Sequence, residues 1–198
     1  GYTAPSSNYT VTQPTGLTAN ITAAPLTITG VVANNKVYNG LTTATLSGTP
    51  VYSGLVNGET FTVSGTPSAN FNNANVGTAK PVTVSGYNNA SSNYTLTQPT
   101  GLTADITQAT LAITANDANK CEGQTYSSTT AFSSNGLQNS ETIGSVTLTS
   151  AGSNSGAASG TYSIVPSNAT GGTFNAANYS ITYNNGTLTV VASPNVTN

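Results

Sequence analysis

Tyr94 and Leu96 alternate with Asn93, Thr95 and Thr97, and Leu102, Ala104 and Ile106 alternate with Thr103 and Asp105. Period-two alternation marks a strand with one buried and one wet face. Gln98-Pro99-Thr100-Gly101 separates the two runs. Proline presets φ and glycine accepts positive φ, so this is a turn, and the stretch from Asn93 to Ile106 predicts a β-hairpin. The same stretch runs from Asn8 to Ile21, changed only at Val11 and Asn20, and a looser copy starts at Asn178. Asn8, Asn93 and Asn178 lie 85 positions apart, and a fixed period of this length predicts a tandem array of small domains. In the third copy Asn184-Asn185-Gly186 carries hairpin-turn chemistry.

The apolar parity changes beyond each copy. Leu102 and Ile106 are followed by Leu111 and Ile113, and Leu17 and Ile21 by Leu26 and Ile28. A one-residue phase change turns side chains to the other face. Gln108-Ala109-Thr110 and Ala23-Ala24-Pro25 are therefore expected to be kinks where one domain hands the chain to the next. This divides the chain into a closing hairpin of a preceding repeat (1–24), two β-domains (25–108 and 109–192) and a linker (193–198). Further strands are expected at Lys36 to Tyr38, Thr43 to Ser47, Thr60 to Ser64, Pro81 to Ser85, Ser145 to Thr149 and Thr161 to Val165. Turn signals such as Asn39-Gly40, Gly48-Thr49-Pro50, Asn57-Gly58 and Gly65-Thr66-Pro67 separate those of the first domain. No helical apolar stripe is present. The predicted fold class is all-β, as tandem Ig-like sandwiches arranged end to end.

Composition sharpens this picture. The chain has three lysines, five acids, no arginine and no histidine. Its solubility rests on Thr, Ser and Asn. Disorder is excluded by the alternation itself, which a disordered chain has no reason to keep. Nucleic-acid binding needs clustered Lys and Arg, and membrane insertion needs a longer apolar run than any here. A signal peptide is not seen, so an internal segment of a longer chain is expected. Cys121 is the single cysteine, so no internal disulfide frames the fold. A small domain held by packing alone is marginal, which makes neighbouring repeats the expected partners.

Two resemblances follow from particular motifs. Lys36-Val-Tyr-Asn-Gly-Leu-Thr-Thr43, the segment Asn75 to Gly86 and Asn93-Tyr-Thr-Leu-Thr97 resemble the YDG-type repeat of very large bacterial surface adhesins, with Asn39 in place of the family's Asp. Gly160-Thr-Tyr-Ser-Ile164 and the segment Asn178 to Val190 resemble the companion MBG-type repeat. The resemblance implies Ig-like β-domains in a secreted or surface-anchored filament, located outside a bacterial cell, and no catalytic residues. The expected role is a structural stalk that extends a distal binding region. The alternative is a module that itself contacts carbohydrate or another surface, such as extracellular polysaccharide.

Candidate chemistry is sparse. Cys121 and Gln124 have the spacing of an internal thioester, in which a thiol displaces ammonia from a glutamine amide; a half-buried structural thiol is the plain alternative. A Lys–Asn isopeptide needs a nearby carboxylic acid, and Glu59 is the only acid between Lys36 and Lys80; lysines guarding strand edges are the plain alternative. Calcium needs six to eight oxygens with several carboxylates, and the acids are scattered, so no metal or cofactor is expected. The Thr-x-Thr pairs fit the wet face of strands. Tyr9, Tyr94 and Tyr179 recur at a core-facing position, whereas Tyr52, Tyr87 and Tyr126 remain candidate ligand contacts. Without histidine or paired carboxylates an enzyme is not expected.

Overall fold

A computed structural model describes residues 1–193. The chain is all-β, and its strands form two sandwiches of one topology. The first contains β1 (Ala24–Ala33), β2 (Lys36–Val37), β3 (Thr43–Ala44), β4 (Leu46–Ser53), β5 (Gly65–Phe71), β6 (Gly77–Tyr87), β7 (Tyr94–Thr97) and β8 (Leu102–Thr107). The second contains β9 (Ala109–Ala115), β10 (Ala118–Cys121), β11 (Phe132–Asn135), β12 (Ile143–Thr149), β13 (Gly160–Gly172), β14 (Tyr179–Asn184) and β15 (Gly186–Val191).

In the first sandwich one sheet has the order β4-β1-β7 and the other β2-β8-β6-β5-β3. The second has β11-β9-β14 facing β10-β15-β13-β12. The opening strand is central in each small sheet. It pairs in parallel with the strand that begins at the recurring tyrosine, Ala24 opposite Tyr94 and Ala109 opposite Tyr179.

This corrects the hairpin expectation. β7 and β8 do not pair with each other: β7 joins β1, and β8 joins β6 and β2. β14 and β15 diverge likewise, onto β9 and onto β13 with β10. Each closing stretch is an arch that crosses from one sheet to the other. Buried Pro99 has no N–H with which to continue a ladder, and Gly101 turns at φ 72°. Gln98 fixes the corner: its Nε2 donates to the Tyr87 carbonyl at 2.8 Å, and its Oε1 accepts the Tyr87 N–H at 3.1 Å. In the second sandwich Tyr183 takes this place, its hydroxyl accepting the Ala169 N–H at 2.9 Å. Gly186 is needed there because a Cβ would lie 2.4 Å from the Ala115 carbonyl oxygen.

A second correction concerns the expected Gly-Thr-Pro turns. Both lie inside strands, β4 and β5, as bulges. Gly48 faces Gly30 across β4 and β1, each with positive φ and each so close that a Cβ would fall within 2.3 Å of backbone. Gly65 faces Gly86 in the same way. The Gly30 bulge shifts the β1 register between Thr29 and Val31, so burial passes from Leu26 and Ile28 to Val31 and Ala33. Thr60 to Ser64, expected as a strand, carries none, and Phe132–Asn135 was not expected.

Residues 1–23 form no strand and are almost wholly exposed. Tyr9, Leu17 and Ile21 are 66%, 83% and 99% exposed, while Tyr94 and Ile106 in the second copy are 3% and 1% exposed. The Gln98 bracket is nevertheless repeated, Gln13 pairing with both backbone groups of Tyr2 at 2.9 and 2.6 Å. Of the expected linker 193–198, residues 194–198 lie outside the described residues.

Since Tyr94 is buried and Thr95 exposed, Tyr94→Ala should cost about 3–5 kcal/mol and Thr95→Ala less than about 1. Urea melts of the two variants test this; equal losses would contradict the face assignment.

Candidate functional site at the domain junction

β8 ends at Thr107 and β9 begins at Ala109, so Gln108 alone separates the two sandwiches along the chain. One hydrophobic cluster runs through both, from Ile28, Phe71 and Ile106 to Leu111, Ile113 and Val146. The hydrogen bonds across the junction converge on three residues of the second sandwich, Glu141, Ala177 and Asn178.

Glu141 is the centre. It sits in the turn after Leu137, where its N–H closes on the Gln138 carbonyl at 2.9 Å. Its Oε2 accepts the Tyr179 hydroxyl at 2.5 Å, and its Oε1 accepts the hydroxyl of Tyr38 from the first sandwich. The Tyr179 hydroxyl also accepts the Gln138 N–H at 2.9 Å. The two tyrosine rings meet edge to face, centroids 5.4 Å apart and planes at 79°, an arrangement worth about 0.5–1.5 kcal/mol beyond the area buried. Hydrogen bonds to a charged acceptor add about 1.5–3 kcal/mol each when buried.

Asn178 is the second anchor, 1% exposed. Its Oδ1 accepts the Val76 N–H and its Nδ2 donates to Asn75 Oδ1, both at 3.0 Å. A buried amide is tolerated only when so paired. Gln108 Nε2 donates to the Ala177 carbonyl at 3.2 Å. Gly40 completes the contact: at φ 75° it lies so close to Asn139 that a Cβ would come within 2.4 Å of the Asn139 Cβ. Tyr38, Asn39 and Gly40 thus have separate tasks. Tyr38 reaches across and Gly40 permits approach, while Asn39 Oδ1 accepts from Lys36 Nζ at 2.9 Å and from the Leu41 N–H at 3.1 Å.

The junction was not singled out from sequence, although the recurrence of Tyr94 at Tyr179 and of Asn57-Gly58-Glu59-Thr60 as Asn139-Ser140-Glu141-Thr142 is visible in it. The residues that were singled out lie apart from it. Cys121 and Gln124 form a turn, the Gln124 Oε1 accepting the Cys121 N–H at 3.0 Å and the Gln124 N–H closing on the Cys121 carbonyl at 3.2 Å. Tyr52 is half-buried with its hydroxyl on the Asn88 carbonyl at 2.6 Å. Tyr87 is 9% exposed. Tyr126 is half-buried in the second sandwich, its hydroxyl enclosed with no hydrogen-bond partner among the described residues.

Lys80 lies on the interior strand β6 and guards no edge, whereas Lys36 lies on the edge strand β2 with its ammonium turned onto a loop. Lys80 and Lys120 are buried, and each ammonium is held by neutral oxygens. Lys80 donates to Asn73 Oδ1 at 2.8 Å, and Lys120 to the carbonyls of Gln124 and Asn154 at 2.8 and 2.6 Å. Lys36 reaches the Leu41 and Thr43 carbonyls as well as Asn39, pinning the loop that carries Gly40. Among the described residues no group of three or more His, Cys, Asp or Glu is placed to hold a metal, and no helix is long and apolar enough to cross a membrane.

Burial, then hydrogen bonding to Glu141, pushes the Tyr179 hydroxyl up from 10.0 to about 12 and raises that of Tyr38. These groups are neutral when bonded, so their stabilisation is complete below pH 10 and is lost as pH rises through the folded value. Melting temperature should therefore fall between pH 10 and about 12, and Tyr179→Phe should flatten that fall while lowering stability at neutral pH. An unchanged alkaline profile in the variant would contradict the assignment. Intact mass should equal the sequence mass; a deficit of one ammonia that disappears in Cys121→Ala would instead reveal a thioester.

No curated protein and no solved structure shows a match to this chain. Family models match in tandem over most of its length: the YDG domain at residues 22–101 and the MBG domain of YGX type at residues 111–189. The tyrosine and glycine that dock the first sandwich on the second, Tyr38 and Gly40, lie within the first match, and Glu141 and Tyr179 within the second. The chain is a YDG domain followed by an MBG domain.

Proposed function

We propose that this pair is a spacer in an extracellular adhesin, a length of stalk that holds a distal binding region away from a bacterial surface. The observation that carries the reading is the junction. Two sandwiches of one topology are joined through one intervening residue, and the contact is locked by Tyr38, Glu141, Tyr179 and Asn178. A flexible linker would let the domains reorient, whereas short connections with buried polar locks resist it. The family matches support repeat domains of this type. A sparsely charged, Thr-rich surface suits a passive shaft, since three lysines offer few sites to trypsin-like proteases.

The spacer reading has a shape and a swap test. A compact sphere of this length would have a radius of gyration of about 16 Å, and X-ray scattering should give a clearly larger value. In a parent adhesin, unrelated sandwich domains of equal length should replace this segment with adhesion intact. Loss of adhesion with normal surface display and reach would overturn the reading in favour of a carbohydrate- or surface-binding module, with Tyr52, Tyr87 and Tyr126 the first residues to mutate.

A further inference from the structure

The YDG domain carries its own copy of the socket into which Tyr38 docks. Glu59 sits in the same turn as Glu141, its N–H closing on the Val56 carbonyl at 3.0 Å. Its Oε2 accepts the Tyr94 hydroxyl, which in turn accepts the Val56 N–H at 3.1 Å. Asn57 has the left-handed backbone of Asn139, φ 54° against 49°. Asn93 stands one residue before Tyr94, as Asn178 stands before Tyr179. In the MBG domain this socket is filled. In the YDG domain Glu59 Oε1 accepts no hydrogen bond among the described residues, Asn93 is exposed, and the rim residues Val56 and Phe61 are 46% and 39% exposed.

We infer that this end of the YDG domain is a docking socket for a second YDG-type domain, which inserts its own Tyr-Asn-Gly turn so that the tyrosine hydroxyl reaches Glu59 Oε1 and the equivalents of Asn75 and Val76 pair with Asn93. Two observations select that occupant. First, residues 1–22 duplicate residues 86–107 almost residue for residue, with the Gln13–Tyr2 bracket formed and Tyr9, Leu17 and Ile21 left exposed. Their sequence matches that of β7 and β8, the closing strands of such a domain, and they stand directly ahead of Ala24, where β1 begins. Second, the far end of the MBG domain does not fit. Tyr38 stands three residues after Asn35, whose Oδ1 accepts the Asp105 N–H at 2.7 Å. Lys120 stands three after Asp117, whose Oδ1 accepts the Thr187 N–H at 2.7 Å, so Lys120 occupies the tyrosine's place, buried with its ammonium on the Gln124 and Asn154 carbonyls. A head-to-tail copy of this chain would bring no tyrosine hydroxyl to Glu59. Docking by this clasp is therefore directional: a YDG domain can precede either domain type, and the MBG domain ends the series. The inference extends the spacer reading and rests on it.

The test places a second copy of residues 24–85 ahead of Gly1, so that residues 1–22 close a complete added domain in front of the full chain. Amide hydrogen exchange is followed at the added copy's equivalent of the Val76 N–H, with the Val76 N–H of the native junction as internal reference. Exchange at the added site should be at least tenfold slower than in the same chain carrying Asn93→Ala, and Tyr→Phe at the added equivalent of Tyr38 should also speed it. Asn93 is exposed in the present chain, so its replacement leaves the domain's own fold intact. Equal exchange with and without these substitutions, or residues 1–22 remaining strandless, would overturn the socket. X-ray scattering of the same chain separates the two readings. An extended particle with unprotected amides overturns the socket and leaves the spacer reading standing; protected amides in a compact particle do the reverse.

Discussion

A tyrosine hydroxyl given to a buried-side glutamate is the contact on which both domains depend. Tyr94 and Tyr179 each open the strand that pairs in parallel with the first strand of their domain. Each ring fills the end of the sandwich, and each hydroxyl needs a partner because an enclosed polar group without one costs about 1–3 kcal/mol. Glu59 supplies it from the turn between β4 and β5, and Glu141 from the turn between β11 and β12. A carboxylate has two oxygens. One closes the domain on itself, and at Glu141 the other closes the neighbouring domain onto it. The carboxylate that finishes the MBG fold is thereby also the one that joins it to its neighbour.

Paired glycines govern the sheets in a comparable way. Gly30 with Gly48, and Gly65 with Gly86, bring backbones closer than any side chain permits. Each pair marks a bulge that turns the burial pattern by one residue. The strands can then stay long while their ends face different layers. The lysines support the same economy of charge: all three ammonium groups hold loops through neutral oxygens, so the few charges of the chain serve its loops and junction.

For a stalk, these features bear on direction and stiffness. In the docking proposed above, the YDG domain has a plug at one end, Tyr38 with Gly40, and a socket at the other, Glu59 with Asn93. The MBG domain has a socket, which Tyr38 fills, but carries buried Lys120 where the plug would be. In that proposal, the order of domains is set by which end bears a tyrosine.

Much was legible in the sequence, for a physical reason. Alternation of apolar and polar residues reports burial directly, so the strands at Leu111 to Ile113 and Tyr94 to Thr97, and the all-β class, follow from it, as does the core position of Tyr94 and Tyr179. The period from Asn8 to Asn93 to Asn178 made the repeats visible, and the motifs around Tyr38 and Tyr179 pointed to the two families. Pairing was not legible. Two strands joined by a short turn show the same alternation whether they lie side by side or cross between facing sheets, because both arrangements bury the same residues. Only the tertiary structure decided that β7 and β8 form an arch. Nor does alternation reveal what a glycine faces, so Gly48 and Gly65 carry a turn's sequence and a bulge's geometry. The junction lay furthest out of reach. Tyr38 and Glu141 are far apart along the chain, and a carboxylate's second oxygen finds its partner only once two folded surfaces meet.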